Sequence, residues 1–73
     1  MEDPRAYVRI ADMLRQQITA GLIKAGQPVP SITTLTQDHG VARQTAAKAL
    51  RMLESEGLVY RVPGLGYYVT EHQ

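Results

Sequence analysis

The sequence predicts a mainly α fold in which three helices are followed by a small β-hairpin. Apolar residues recur at three- and four-residue steps in residues 7–18 and again in residues 46–53, which is the spacing of amphipathic helices. Between these segments, Gly40 separates a short segment with one evident core residue, Leu35, from the helical pattern of residues 46–53, as at a tight turn between two helices. After Gly57, strand-forming residues flank the turn sequence of residues 63–66.

Length and composition restrict the class of protein. The chain has 73 residues and no cysteine, so we expect one domain over residues 1–73 with a small core and neither disulfides nor thiolate metal sites. Its two histidines, His39 and His72, have no second ligand at metal-binding spacing, so neither a metal nor another cofactor is expected. No apolar run approaches the roughly 20 residues that span a bilayer, and residues 1–4 lack the charge pattern of a signal peptide. A cytoplasmic location is therefore expected, with no membrane partner.

The first helix is predicted to begin at residues 3 and 4 and to end near Gly21. Asp3 suits the N-cap, and Pro4 suits the first helical position, where a missing N–H costs nothing. One face of this helix carries five apolar side chains, at Tyr7, Ile10, Ala11, Leu14 and Ile18. The helix is therefore expected to supply core and scaffold.

A stretch rich in proline and glycine, residues 22–30, separates the first helix from the second. It predicts a structured loop or a very short edge strand. Ser31 is a suitable N-cap for a second helix over residues 32–39, whose core residue is Leu35. Gly40 can then adopt the left-handed conformation that ends a helix.

A third helix is predicted over residues 43–56, with Gly57 at its C-terminal cap. Four of its side chains form an apolar inner face: Ala46, Ala49, Leu50 and Leu53. The opposite face exposes Arg43, Gln44, Ala47, Lys48 and Arg51.

The β-hairpin is predicted over residues 58–62 and 67–70. An isolated hairpin is marginal in water, so we expect it to pack on the helices through Leu58, Val62 and Val69, with one of two adjacent tyrosines. The four tyrosines of the chain are interpreted as packing or cross-strand partners rather than as base-stacking residues.

The net charge is only +1, but its distribution is uneven. Between Asp38 and Glu54 there are three cations, Arg43, Lys48 and Arg51, and no carboxylate. One face is therefore expected to be locally positive. Taken alone, this pattern favours an ordinary solvated helix surface over a nucleic-acid interface.

The ordered set of residues resembles the N-terminal DNA-binding domain of the GntR family of bacterial transcriptional regulators, a winged helix-turn-helix. The resemblance covers nearly the whole chain. It rests on the first-helix spacing from Tyr7 to Gly21 and on Gly26, Pro30-Ser31, Leu35, Gly40-Val41-x-Arg43-x-Thr45, Ala49-Leu50-x-x-Leu53-x-x-Glu56-Gly57-Leu58-Val59 and Gly64-x-Gly66-Tyr67-Tyr68-Val69.

The resemblance implies sequence-specific binding to double-stranded DNA by a transcriptional regulator, with repression the expected outcome. It implies binding to DNA as a dimer, with the third helix in the major groove and a wing at the minor groove. Because the sequence offers one small core and no evident large apolar patch left over, we expect a weak homodimer, formed on an inverted-repeat operator. Gln44 and Thr45 have side chains suited to reading adenine and thymine. Lys48 and Arg51 are interpreted either as phosphate contacts or as ordinary solvated charges. Ser31 is interpreted either as a helix cap alone or as a cap whose helix also binds a phosphate. The candidate DNA-binding residues are Ser31, Thr33, Arg43, Gln44, Thr45, Lys48, Arg51, Arg61, Gly64, Leu65 and Gly66.

Three positions depart from the family pattern. Thr33 stands where the family often has an arginine or another polar contact, Ala42 replaces the usual serine N-cap, and Ala47 replaces a common arginine. These differences predict weaker binding or a different operator rather than a different fold.

Two other readings follow from the same residues. The chain has no motif of nucleophilic catalysis and little room for a closed pocket, so an enzyme is not expected. A winged-helix protein-interaction module with weak or lost DNA binding is the alternative function. The chain ends at Gln73, directly after the wing, so no effector-binding domain is expected within it, whether it is an excised domain or a stand-alone regulator, and the effector is unknown.

Overall fold

The computed structural model describes residues 3–71; residues 1, 2, 72 and 73 lie outside the described residues, and with them the expectations for the extreme N-terminus and for His72. Three helices precede two strands: α1 (Ala6–Thr19), α2 (Ile32–His39), α3 (Arg43–Ser55), β1 (Val59–Val62) and β2 (Gly66–Val69). The mainly α fold with a C-terminal hairpin is confirmed. Within residues 3–71, no helix is both long enough and apolar enough to cross a membrane.

Helix α1 starts later than predicted. Its N-cap is Arg5, and the assignment of Asp3 as N-cap and of Pro4 as first helical residue is wrong. The backbone N–H of Ala6 donates to the carbonyl of Asp3 at 2.9 Å, which closes a turn ahead of the helix. Asp3 accepts the N–H of Arg5 at 2.8 Å, so its carboxylate caps this turn instead of the helix.

The α2 and α3 helices form the predicted helix-turn-helix. Ser31 is the N-cap of α2, and its hydroxyl accepts the N–H of Thr34 at 3.1 Å. Gly40 ends α2 with φ of 65°, a left-handed backbone conformation that residues with a Cβ rarely adopt. Helix α3 begins after Ala42, which has extended backbone and no side-chain oxygen to serve as a cap.

The core lies where α1, α3 and the hairpin meet. The inner face of α3 is buried as predicted. The predicted inner face of α1 is buried too, except that Tyr7 is half-buried, and Ala6 is an additional buried residue of this helix. The residues of the core cluster are Ile10, Ala11, Leu14, Ile18, Val29, Leu35, Ala46, Ala49, Leu50, Leu53, Val59 and Val69. Alanines at positions 46 and 49 leave room for α3 to lie close to its neighbours.

The buried side chain of β1 is that of Val59, whereas the sequence predicted Leu58 and Val62. Strands β1 and β2 are antiparallel, and Val59 pairs with Val69. Both of these valines are buried, whereas Leu58 and Val62 are only half-buried. The predicted packing of Leu58, Val69 and one tyrosine, Tyr67, on the core is confirmed, whereas Val62 does not belong to the core cluster. Val59 and Val62 lie on opposite faces of β1, because side chains alternate along a strand.

A short segment before α2, residues 27–29, forms backbone hydrogen bonds with strand β2 of the hairpin. The N–H of Val29 donates to the carbonyl of Tyr67 at 3.0 Å, and the N–H of Val69 donates to the carbonyl of Gln27 at 2.9 Å. Pro28 forms an isolated antiparallel bridge with Tyr68. Residues 22–30 are thus a structured loop that contains one isolated bridge and no assigned strand, within the two alternatives expected from the sequence.

Candidate nucleic-acid interface

An open cleft of about 720 Å³ lies between the start of α2, the outer face of α3 and the tip of the hairpin. Its walls come from three separate elements that the turn at Gly40 and the hairpin bring together. Eight of the eleven candidate residues line it: Ser31, Thr33, Arg43, Arg51, Arg61, Gly64, Leu65 and Gly66.

The other three candidates lie on the same surface, along the N-terminal half of α3. A shallower cleft of about 500 Å³ joins Arg43 and Arg51 to Gln44 and Lys48. A third, of about 230 Å³, joins Gln44 and Lys48 to Thr45 and to the start of α1. Because successive clefts share residues, the candidates form one continuous surface, which we call the basic face and define by those eleven residues.

The two helices of the helix-turn-helix are joined on this face by Arg43. Its Nη1 donates to Oγ1 of Thr33 at 3.1 Å. Thr33 is neutral, so the hydrogen bond orients the guanidinium without cancelling its charge. A cation at the N-terminus of a helix is unfavourable against the helix dipole, and an anion bound at this place would offset that effect.

Ser31 is already engaged at the start of α2. Its hydroxyl accepts the N–H of Thr34 and donates to Oγ1 of the same residue at 3.0 Å. The structure therefore gives Ser31 a clear capping role, which is sufficient to account for a serine at this position.

Lys48 has a partner that the sequence did not reveal. Its Nζ lies 4.2 Å from the centroid of the Tyr7 ring, a cation–π contact that links α3 to α1. Tyr7 comes from a helix about forty positions earlier, and no local pattern predicts the contact. The ammonium group keeps its charge while its position is restricted.

Three of the six acids among residues 3–71 are paired with arginines that lie outside the basic face. Asp3 accepts from Arg9 at 3.1 Å, while Asp12 and Glu56 both pair with Arg15, the latter at 2.7 Å. Within residues 3–71, the ion pairs include none of the four cations of the basic face: Arg43, Lys48, Arg51 and Arg61.

The tip of the hairpin carries an exposed apolar side chain, that of Leu65. Leu65 is 71% exposed between two glycines, Gly64 at φ of 81° and Gly66 at φ of 123°. The N–H of Leu65 donates to the carbonyl of Val62 at 3.0 Å, which closes the turn beneath it. The tip therefore projects an apolar side chain from a hydrogen-bonded turn.

One acidic residue belongs to the cleft although sequence reasoning did not place it there. Glu54 lies three positions after Arg51 on α3 and lines the same cleft. The helical period of the exposed stripe would have identified it. Its carboxylate marks the C-terminal limit of the positive surface. Among residues 3–71, no group of three or more His, Cys, Asp or Glu side chains could hold a metal ion.

Comparison with known proteins agrees with this geometry. Residues 6–69 match the family model of bacterial regulatory proteins of the gntR family. Over 67 residues, 92% of this chain, it is 37% identical to the Escherichia coli K12 mannosyl-D-glycerate transport/metabolism system repressor MngR. It is 35% identical over 65 residues, 89% of the chain, to the transcriptional repressor NagR of Bacillus subtilis 168. The chain spans 28% of the length of MngR and 27% of NagR.

A solved structure gives the same result in three dimensions. The DNA-binding domain of AraR in complex with operator ORR3 superposes with a TM-score of 0.86 and 35% identity, covering 89% of this chain and 78% of that one. The hairpin is thus the wing of a winged helix-turn-helix. With the family model spanning α1 to β2, this chain belongs to the gntR family of bacterial regulatory proteins.

Proposed function

We propose that this chain is the sequence-specific, double-stranded DNA-binding part of a bacterial transcriptional regulator that acts as a repressor in the cytoplasm. The observation that carries the proposal is the basic face, on which four cations without carboxylate partners follow α3 and the wing. Phosphates supply the anions that such a face lacks. Two relatives described as repressors and the operator complex of a related domain support the same function.

In the proposed complex, α3 enters the major groove. That groove is about 12 Å wide and accepts one helix. Gln44 is exposed in the first turn of α3, where a recognition helix meets base edges, and it can form a bidentate pair with adenine. Thr45, half-buried beside it, can offer its methyl group to thymine. Arg43 is held by Thr33 at the edge of this helix and contacts a phosphate.

The wing reaches the adjacent minor groove. Arg61 lies on β1 and Gly64 at the tip, and both line the same cleft as Arg51 of α3. A duplex seated on α3 therefore has the wing against its neighbouring groove. Glycine at the tip permits close approach of backbone to DNA.

We further propose that two copies bind an inverted repeat while the free protein is mostly monomeric. Among the described residues, the large apolar side chains that are exposed are Leu22, Tyr60 and Leu65. These few residues support the absence of a stable interface, which needs more than about 1,000 Å² of buried area. On DNA, adjacent half-sites raise the effective concentration of each copy. Sedimentation with a palindrome and with a single half-site distinguishes this from a preformed dimer.

The proposal is tested by selecting duplexes from a random-sequence library with the 73-residue chain. We expect a recurring sequence motif, and the duplex that carries it is here called the selected duplex. Fluorescence anisotropy should then show tighter binding to it than to a scrambled duplex, and affinity that falls steeply with salt. Gln44→Ala should reduce discrimination at one base pair by about 1–3 kcal/mol. Absence of motif and of salt-dependent binding would overturn the proposal in favour of a protein-interaction module, which the comparisons do not support.

A further inference from the structure

Leu65 is the one residue of the basic face with an apolar side chain; the other ten are polar or charged residues and two glycines. It is 71% exposed at the tip of the wing and lines the cleft. A single exposed leucine is common on protein surfaces and has no meaning by itself. Its setting at the hairpin tip is what makes this one informative.

Three features of the turn present the Leu65 side chain rather than bury it. The Leu65 N–H is bound to the carbonyl of Val62 at 3.0 Å, so the turn is closed. The flanking Gly64 and Gly66 have no side chains to shield it, and a Cβ at either would meet no atom within 4 Å. The tip is therefore narrow as well as apolar.

Arginines line the same cleft as this tip. Arg61 on β1 and Arg51 on α3 line the same cleft, and neither forms an ion pair among the described residues. Guanidinium groups held by phosphates on both sides would press the tip toward the floor of a groove. The floor of a minor groove is the edge of the base stack, which an apolar side chain can enter but cannot hydrogen-bond.

We propose that Leu65 is a wedge that inserts from the minor groove between two adjacent base pairs, partly unstacks them and kinks the duplex. The inference rests on the proposed DNA-binding function and adds a specificity determinant to it. Pyrimidine–purine steps such as TA and CA unstack most easily, so the wing would select a deformable step rather than a particular base. The other half of the site, under α3, would be read by direct contacts.

The experiment uses the full 73-residue chain and the selected duplex. 2-Aminopurine is placed in turn at each adenine of the duplex, and dyes at the duplex ends report bending by energy transfer. Leu65→Ala is compared with Leu22→Ala, because Leu22 is 74% exposed and lines none of the three clefts. Leu65→Met keeps an apolar wedge, and Leu65→Lys replaces it with a charge.

We expect the unaltered protein to raise 2-aminopurine fluorescence at one step and to shorten the distance between the duplex ends. Leu65→Ala should lose both signals and about tenfold in affinity, with the salt dependence unchanged. Leu65→Met should keep both signals, and Leu22→Ala should behave as the unaltered protein. Leu65→Lys should lose both signals while the salt dependence becomes steeper.

A duplex with a mismatch at the responding step provides a second measurement. Its bases are already unstacked, so the unaltered protein should bind it more tightly than the paired duplex, and Leu65→Ala should show little preference. Salt-dependent binding without local fluorescence change, or equal loss in Leu65→Ala and Leu22→Ala, would overturn the wedge and leave DNA binding intact. Failure of the chain to bind any duplex would overturn both.

Discussion

The side chain of Arg43, the first residue of α3, donates a hydrogen bond to Oγ1 of Thr33 in α2 at 3.1 Å. The contact crosses the turn of the helix-turn-helix and sets the direction of a cation at the edge of the basic face. Thr33 stands where the family often has an arginine or another polar contact. In this chain Thr33 is a neutral acceptor for Arg43, and we propose that it contributes to DNA binding by orienting that side chain.

Thr33→Val keeps the shape of this residue and removes the acceptor. Binding to the selected duplex should weaken about 2- to 10-fold, because losing one orienting hydrogen bond costs about 0.5–1.5 kcal/mol. Thr36→Val is the matched control, since that hydroxyl donates to the backbone carbonyl of Thr33 at 2.7 Å and not to Arg43. Anisotropy titrations measure both. Equal affinities for the two variants would show that the Arg43 contact has no role in binding.

The wing glycines can be tested with backbone strain held constant. Gly64 in the wing and Gly21 after α1 both have φ of 81°, and neither has an atom within 4 Å of an added Cβ. Valine at either position adopts a strained conformation, so both variants should lose stability to a similar degree. Only Gly64→Val should lose duplex affinity. Circular dichroism establishes that the helices persist, and a comparable loss of affinity in Gly21→Val would assign the effect to instability.

The start of α3 offers a gain of stability. Ala42 occupies the N-cap with φ of −68° and ψ of 154°, the backbone that a capping serine adopts. Ala42→Ser should raise the free energy of unfolding by about 0.5–1 kcal/mol, and the melting temperature with it. Ala25→Ser, at an exposed turn position, should have little effect. Thermal and urea unfolding test this, and a destabilised Ala42→Ser would contradict it.

The end of α3 is tied to α1 by a pair of hydrogen bonds between Arg15 and Glu56. Arg15 Nε and Nη2 donate to the two carboxylate oxygens at 2.8 and 2.7 Å, and these bonds hold the pKa of Glu56 below its usual range. A lowered folded-state pKa stabilises the fold above the unfolded value, about 4.3, and this stabilisation is lost as pH falls through the folded value.

Glu56→Gln should therefore lower the free energy of unfolding at pH 7 by up to about 1 kcal/mol, because the pair is partly exposed and screened by solvent. The difference from the unaltered protein should shrink as the pH is lowered through the titration of Glu56. Glu54→Gln is the control, since Glu54 forms none of the ion pairs among the described residues. Urea unfolding between pH 7 and pH 3 decides the matter. A pH-independent difference would assign the effect to packing.

Local signals predicted most of the fold. The serine cap at Ser31 and the glycine stop at Gly40 placed α2 within its true limits, because both depend on backbone geometry near in sequence. The inner face of α3 followed from its helical period. The start of β1 could not be predicted from local signals. It depends on the pairing of Val59 with Val69, a contact that forms only after the chain turns back.

For the candidate site, too, local features could be predicted from the sequence and contacts between helices could not. Arg43 and Gln44 could be placed on an exposed helical face from their spacing alone. The hydrogen bond to Thr33 and the cation–π contact of Lys48 with Tyr7 could not, because each depends on how two helices pack. Glu54 could have been placed in the cleft from the sequence, because it follows Arg51 by three positions on the same helical face.

The most direct test of the basic face compares two substitutions that remove the same charge from different places. Arg43→Ala removes a cation of the basic face, and Lys24→Ala removes one that lines none of the three clefts. Affinity for the selected duplex is measured by anisotropy over a range of salt concentrations. Arg43→Ala should bind much more weakly, with a salt slope shallower by about one, whereas Lys24→Ala should retain the affinity and slope of the unaltered protein. Unchanged affinity and slope in Arg43→Ala would contradict the account.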